Sequence, residues 1–504
     1  MDTVKNIVIV GGGTAGWMTA AALSKATRSS TIRITLIESD EIGIIGVGEA
    51  TVPHIHAFNA MLGIDPREFL RFCQGTFKLG IEFVNWGALG ERYMHPFSFY
   101  GGSFNSKLFP LLWLKYAQQQ KMRGKTSSIG DYNLGCLAAA ENRFSLSAAG
   151  PQSAAGPLNF AYHFDASLYA RYLRHYAEKG GVSRVEGKVV SVTQDKESGF
   201  IQSVSLESGS VVAGDFFIDC SGFKGLLIEE TLHAGYEEWT HWLPCNRAIA
   251  VASESTEPPI PYTRSTADKA GWIWRIPLQH RVGNGYVYAS RFMEDDEAEA
   301  RLLSQLNGAP ISSPRRLRFV TGKRKKVWDR NCLSIGLAAG FLEPLESTGI
   351  HLIQTAIFRL LSLFPDAGFD PREIDEFNRQ TAEEYENIRD FLIAHYKVTR
   401  RDDTSFWRHC AEMSVPERVT QNRELFSVNG RLPLRPELLF STHSWISILL
   451  GQGVMPGGHD PLLVGMPEGE LEAQMVSIRQ NLLSERAKLP KHEAFLQMYC
   501  ETGH

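Results

Sequence analysis

Asn6-Ile-Val-Ile-Val-Gly-Gly-Gly-Thr-Ala-Gly16 decides the fold. Its first five residues are an almost unbroken apolar run, the pattern of a strand buried on both faces of a parallel sheet. Three glycines follow directly, and Thr14 then opens an Ala-rich, helix-forming stretch to about Thr27. Thr31-Ile-Arg-Ile-Thr-Leu-Ile37 reads as the next strand, which completes a β-α-β unit. Gly11, Gly13 and Gly16 have the G-x-G-x-x-G spacing of a dinucleotide fingerprint. Glycines let the backbone approach a pyrophosphate, and the N–H groups at the helix start, around Thr14 and Ala15, stabilise its charge. Glu38 ends the second strand about twenty residues on, where a carboxylate accepts ribose hydroxyls.

The rest of the chain is compatible with one large, mixed enzyme. It has 504 residues, 43% hydrophobic and 21% charged, with a net charge of −4. No long run of like charges points to nucleic acid or to an acidic membrane surface. The short cluster Lys323-Arg-Lys-Lys326 reads as a solvated strand end. Seven cysteines (73, 136, 220, 245, 332, 410 and 500) are scattered, odd in number and without C-x-x-C spacing. That pattern predicts reduced, structural thiols, with neither disulfides nor a metal site. The N-terminus enters a strand almost at once, without a signal peptide, and no apolar run has the length of a membrane span. A soluble cytoplasmic protein is expected.

Further along, Asp165 caps a predicted helix to about Lys179, and 182–219 reads as short strands ending in Phe216-Phe-Ile-Asp-Cys-Ser-Gly222. Strands are expected near 246–253, 271–278, 285–290 and 332–336, and helices near 348–363 and 371–396. From there to His504 the pattern is helical, broken by Pro and Gly.

Several segments carry chemistry. In Gly271-Trp-Ile-Trp-Arg-Ile-Pro277, Trp272 and Trp274 alternate with their neighbours and so share one face of a strand. Lys78 lies in Thr76-Phe-Lys-Leu-Gly80, and an ammonium is a compact, mobile charge with three donors. Glu346 lies in Glu343-Pro-Leu-Glu-Ser-Thr-Gly-Ile350, ahead of a helix expected from about Ser347. Such a helix start is an anion site. Glu346 is either a cap or a positioned base, and Glu343 is available for the capping.

These segments together resemble the flavin-dependent halogenase family, whose best-known members are the tryptophan halogenases. The resemblance spans nearly the whole chain and is most specific before the C-terminal helical part. It implies an α/β protein with a Rossmann-like FAD-binding module of the monooxygenase/glutathione-reductase type and an interwoven, more helical substrate module. The expected FAD module is 1–90, 160–250 and 325–363; the substrate module is 91–159, 251–324 and 364–504. By the same resemblance, Gly46-Val-Gly-Glu-Ala-Thr51 brings Glu49 and Ala50 to the flavin. Asp219-Cys-Ser-Gly-Phe223 returns the chain to it, the strand at Val189 passes the adenine, and Leu337 and Ile350 contact the cofactor. Gly336-Leu-Ala-Ala-Gly340 carries Leu337 where many FAD monooxygenases have Asp.

The implied activity uses reduced FAD, oxygen and chloride or bromide to make hypohalous acid. Thr348 and Gly349 hold the halide, and Trp272 and Trp274 form the barrier between flavin and substrate. Lys78 holds the electrophilic halogen, and Glu346 polarises it or takes the ring proton. Gly283-Asn-Gly-Tyr-Val-Tyr288 belongs to the same pattern, whereas Arg400-Arg-Asp-Asp403 and Ser405-Phe-Trp407 are structural. His95 and Phe97 resemble the pair that sandwiches an indole, and Trp445 supplies another wall. A separate NAD(P)H-dependent flavin reductase is the expected partner of a monomer or homodimer, because a second nucleotide fingerprint is lacking.

One departure matters. Free-tryptophan halogenases carry tyrosines and a glutamate for the amino-acid head group, but Phe440-Ser-Thr-His-Ser-Trp-Ile-Ser-Ile-Leu-Leu-Gly-Gln-Gly453 has no Tyr and no Glu. A neutral indole, another electron-rich arene or a carrier-held substrate fits as well as free tryptophan. Two other classes remain: a single-component FAD-dependent aromatic monooxygenase and a non-catalytic FAD-binding flavoprotein. Direct NAD(P)H oxidation by the protein distinguishes the first. Indifference to loss of Lys78 distinguishes the second.

Overall fold

Strand Asn6–Val10 pairs in parallel with Arg33–Glu38 on one side and with Phe216–Asp219 on the other. Its last four residues are buried, as its apolar run requires. The computed structural model describes residues 3–41, 48–102, 109–146, 156–433, 435 and 438–501. Chain contacts divide it into two compact units: 1–75, 164–241 and 318–386, and 76–163, 242–317 and 387–504.

The first unit is organised by a six-stranded sheet. Its order is Trp328–Asp329, Cys332–Ser334, Phe216–Asp219, Asn6–Val10, Arg33–Glu38 and Ser183–Glu186. Helix Thr14–Ala26 connects the two parallel strands at the N-terminus. Its Ala-rich sequence suits a close fit, and Ala20, Ala21, Ala22 and Leu23 are fully buried. Helix Ala166–Lys179 is capped as expected, with the Asp165 carboxylate accepting from the Ser167 and Leu168 N–H groups. A three-stranded antiparallel sheet (Val189–Gln194, Ile201–Leu206, Val211–Ala213) packs Val189, Val192, Ile201, Val204 and Leu206 against a core with Val10, Ile37 and Leu227.

The second unit carries a seven-stranded sheet as well as helices. Its order is Arg315–Arg318, Arg247–Ser253, Val282–Tyr288, Gly271–Pro277, Thr263–Asp268, Gly80–Val84 and Arg92–Pro96. Sequence patterning brings out only the strands containing 246–253, 271–278 and 285–290. Thr263–Asp268 escapes it because Arg264, Thr266 and Asp268 alternate with small residues rather than large apolar ones. Short strand Thr76–Lys78 pairs antiparallel with Ala161–Asp165. The C-terminal part is helical, through Ser405–Glu412, Glu417–Asn429, Thr442–Gly451, Glu468–Lys488 and His492–Glu501.

Three differences from expectation have physical causes. Residues 76–90 group with the second unit, because Gly80–Val84 joins the sheet of Thr263–Asp268 and Arg92–Pro96. Residues 364–386 group with the first, where Phe377 packs edge-on to Trp328. The basic cluster is a solvated strand end only in its second half, where Lys325 and Lys326 are exposed just beyond strand Gly322–Arg324. Lys323 and Arg324 are only 5% and 6% exposed, and they pair with Glu237 at 2.9 Å and Glu229 at 2.6 Å. All seven cysteines are free, and among the described residues no helix is long and apolar enough to cross a membrane.

Candidate active site

In the first unit the glycine-rich turn is shaped by close approach. Gly11 has φ +115°, and a Cβ there would stand 2.2 Å from the Cys220 carbonyl oxygen. A Cβ on Gly16 would meet the Gly11 carbonyl oxygen at 1.9 Å. Gly13 differs: nothing lies within 4 Å of its Cβ position, at the N-cap of helix Thr14–Ala26. That helix has no side-chain cap and no acid in its first turn, so no capping side chain takes up its first N–H groups. These features fit a pyrophosphate. Gly336, with φ +72°, places its Cβ position 2.7 Å from the Ala15 methyl and so brings Leu337 to the same end of the sheet.

Glu38 sits at the strand end as expected. Its carboxylate accepts from Trp17 Nε1 at 3.2 Å and from Arg184 Nε at 2.5 Å, with Arg174 at 3.4 Å. The Glu38 carbonyl accepts from the Gly187 N–H at 2.9 Å, two residues before the strand that starts at Val189. Asp219 shapes the turn that follows its strand, accepting from the N–H groups of Ser221, Leu227 and Ile228. Gly46 and Val47 of the second flavin segment lie outside the described residues. Glu49 and Ala50 fall in strand Gly48–Ala50, and burial pushes the Glu49 carboxyl up to about 7.

The expected anion segment lies in the same unit. Pro344–Glu346 is a single 3₁₀ turn, Ser347 adopts a left-handed φ of +60°, and helix Gly349–Ser362 begins two residues later than predicted. The left-handed residue interrupts the chain between turn and helix, so the first N–H groups of the helix are uncommitted to the turn. The Thr348 N-cap side chain does not cap, its buried hydroxyl has no hydrogen-bond partner, and the Cβ position of Gly349 is open. These donors suit a small anion. Glu346 is 1% exposed. Ile350 is buried in the first turn of the helix.

In the second unit, Lys78 is fully buried at the end of strand Thr76–Lys78, with its ammonium 5.2 Å from the Phe97 ring centroid. Phe97 is held there by its N–H, which donates to the Leu79 carbonyl at 2.9 Å. Trp272 and Trp274 share a face of strand Gly271–Pro277, with ring centroids 6.0 Å apart. The paired residue Gly285 makes room for Trp274, since a Cβ there would fall 2.0 Å from its ring. That gives the Gly-Asn-Gly-Tyr segment its physical meaning. The Trp272 indole N–H is buried without a hydrogen-bond partner.

His95, on strand Arg92–Pro96, lies in an aromatic cluster that sequence reading anticipates only in part. Phe391 and Phe440 stack at 3.9 Å, His95 stands 5.7 Å from Phe391, and Trp445 meets Phe391 edge-on at 5.4 Å. Phe391 escapes sequence reading, because one Phe in the apolar stripe of the long helix Pro371–Lys397 carries no local signal. A tyrosine does stand beside the helix carrying Trp445. It comes from Tyr100, and its hydroxyl contacts Ser447 Oγ at 2.7 Å. Arg401 forms a bidentate pair with Asp403 over the Trp407 ring, the structural role expected of that segment. Among the described residues no His, Cys, Asp and Glu group forms a metal site.

The glycine-rich turn, the open helix start at Gly349, the buried Lys78 and the paired-tryptophan strand are the features that the resemblance to flavin-dependent halogenases anticipates. Comparison with known proteins agrees. The chain matches the tryptophan halogenase family model over residues 6–468, and it belongs to that family. It is 37% identical to tryptophan 6-halogenase ThaL of Streptomyces albogriseolus, over 94% of each chain. The flavin-dependent halogenase Xcc4156 of Xanthomonas campestris superposes with a TM-score of 0.94 at 47% identity, covering 99% of each chain. BrvH, a flavin-dependent halogenase of Brevundimonas sp. BAL3, superposes with a TM-score of 0.93 at 44% identity, covering 98% of this chain and 99% of that one. The chain is therefore an FAD-dependent enzyme of the halogenase class.

Proposed function

We propose that this halogenase acts on an indole or another electron-rich arene in preference to free tryptophan, with Lys78 and Glu346 as its catalytic residues. The observation that carries the reading is the buried Lys78 ammonium beside the Phe97 ring. When bound in its reduced form, FAD supplies hypohalous acid from oxygen and chloride or bromide. Gly11, Gly13, Thr14, Ala15, Gly16 and Glu38 would hold its pyrophosphate and ribose, and Glu49, Ala50, Val189, Leu337 and Ile350 would contact the rest of it. The Thr348 and Gly349 donors hold the halide, and a separate flavin reductase supplies the reduced cofactor.

Lys78 donates a hydrogen bond to the hypohalous acid as an ammonium, or as the free amine takes its halogen while the O–halogen bond breaks and water leaves, giving a haloamine, and so presents the halogen to the ring. Burial strengthens that interaction because little water competes for the ammonium. Glu346 stabilises the developing cation and takes the ring proton after addition. Trp272 and Trp274 form an apolar barrier that a small acid passes and an arene does not. His95, Phe97 and Trp445 orient the arene by ring contacts. Against free tryptophan stands helix Thr442–Gly451, which offers neither a carboxylate nor a tyrosine for an ammonium and carboxylate head group. The nearby Tyr100 hydroxyl already contacts Ser447.

The test is turnover with FAD, a flavin reductase, NADH, oxygen and each halide on indole, tryptophan and phenols, read by mass spectrometry. A halogen isotope pattern stronger on indole than on tryptophan is expected. Preference for tryptophan would overturn the substrate assignment. Oxygen incorporation without halogen would identify an aromatic hydroxylase instead.

A further inference from the structure

The strand that carries Lys78 is braced by two buried histidines that the proposed chemistry does not use. On one edge, Thr76–Lys78 pairs with Ala161–Asp165, and His163 lies opposite Thr76. The His163 ring bridges Thr76 Oγ1 and Thr263 Oγ1, each at 2.9 Å, while Thr76 Oγ1 also donates to the Pro277 carbonyl at 2.8 Å.

The other edge is less regular. In a strand, N–H groups two residues apart point to the same side. The Leu79 N–H donates to the Pro261 carbonyl at 2.7 Å. The same spacing would take the Phe77 N–H to the Pro259 carbonyl. A histidine stands between them instead. The Phe77 N–H donates to His492 Nε2 at 3.3 Å, and His492 Nδ1 meets the Pro259 carbonyl at 2.7 Å. One partner only donates and the other only accepts, so both require the neutral tautomer with its proton on Nδ1. Protonation of Nε2 would set a donor against the Phe77 N–H. His492 is fully buried at the start of helix His492–Glu501, and burial brings its pKa down to about 4. The same helix sends Phe495 and Tyr499 against the Phe77 ring.

We propose that His492 is a positioning residue for Lys78, an imidazole wedge by which the C-terminal helix sets the backbone of the lysine strand. This rests on Lys78 being the group that presents the halogen. A hydrogen-bonding wedge fixes Phe77 from its backbone, and Lys78 is the next residue. Misplacement of a reacting group by about 1 Å costs on the order of 10²-fold in rate.

The experiment compares His492→Leu, which fills space without bonding, with His492→Gln, whose amide both accepts and donates across a similar span. A control, Leu482→Ala in helix Glu468–Lys488, destabilises without touching the lysine strand. Halogenated product per reduced flavin consumed is expected to fall roughly ten- to hundredfold in His492→Leu, through kcat rather than KM. FAD affinity and flavin oxidation should be unchanged, and His492→Gln should restore most of the yield. If His492→Leu matches Leu482→Ala in yield, His492 is structural only and the inference fails. If Lys78→Ala keeps its yield, the underlying assignment of the lysine fails instead. ¹⁵N-histidine NMR of the full chain without cofactor gives a second readout. His492 should show the Nδ1–H neutral form without titrating down to about pH 5, and titration near the ordinary imidazole value of about 6.5 would overturn the wedge.

Discussion

The two units build their sites from different materials. In the first, the recognisable site is largely backbone: glycines that permit close approach, and helix starts at Thr14 and Gly349 with uncommitted N–H groups. In the second it is side chains: Lys78, two tryptophans, and an aromatic cluster drawn from residues 95, 391, 440 and 445. Backbone sites follow from local spacing, because strand, turn and helix are contiguous. Side-chain constellations follow from pairing between distant segments, and no local pattern announces them.

The strongest way to break this comparison is Lys78→Ala. It should reduce halogenated product to background while FAD affinity, read by fluorescence titration, is unchanged. Retained turnover would mean that the second unit does not supply the decisive side chain. Glu346→Gln comes next, since it tests a side chain within the backbone-built unit. Steady-state kinetics should show a loss on the order of 10²-fold, as for a positioned proton acceptor.

Gly13→Ala sharpens the backbone side. At Gly13 φ is −73° and no atom lies within 4 Å of the Cβ position, so the protein itself accommodates the side chain. Only a ligand would meet it. Thermal stability without cofactor should be unchanged, and the FAD dissociation constant should rise about tenfold or more, a loss of about 1.4 kcal/mol. An unchanged affinity would show that the turn does not hold the pyrophosphate.

The smallest effect is in pH dependence, where the units should respond in opposite directions. Glu49 in the folded first unit is raised from 4.5 to about 7, so its neutral form is favoured by folding. Its contribution is lost as pH rises through that window. In the second unit His492 is lowered from 6.5 to about 4, and His163 well below 6.5 through burial and then Lys78 and His492. Folding favours both neutral rings, so their contribution is present above 6.5 and lost as pH falls towards 4. Melting curves of wild type, Glu49→Gln and His492→Gln should separate the effects. Glu49→Gln should flatten the neutral-side slope and His492→Gln the acid-side slope. If neither slope changes, these groups do not set it.

The β-α-β unit, the Asp165 cap and the long helix Pro371–Lys397 were legible because each is encoded within one segment. The seven-stranded sheet was legible only in its apolar members, and Thr263–Asp268 needed its neighbours to be a strand. The burial of Lys323 and Arg324 was hidden for the same reason, since their carboxylate partners, Glu237 and Glu229, come from a distant part of the sequence. Lys78 and the tryptophans were recognisable from flanking residues, but Phe391 and His492 had nothing beside them to mark a role.

By itself the sequence determined the nucleotide-binding topology, the family, and which lysine, glutamate and tryptophans stand out. Those properties depend on short-range spacing and on the identity of contiguous residues. Only the tertiary structure decided that Lys78 is buried beside Phe97, that Gly285 yields its space to Trp274, and that His492 stands between Phe77 and Pro259. Each of these joins segments separated along the chain, and the energy that selects them comes from excluding water and satisfying buried polar groups.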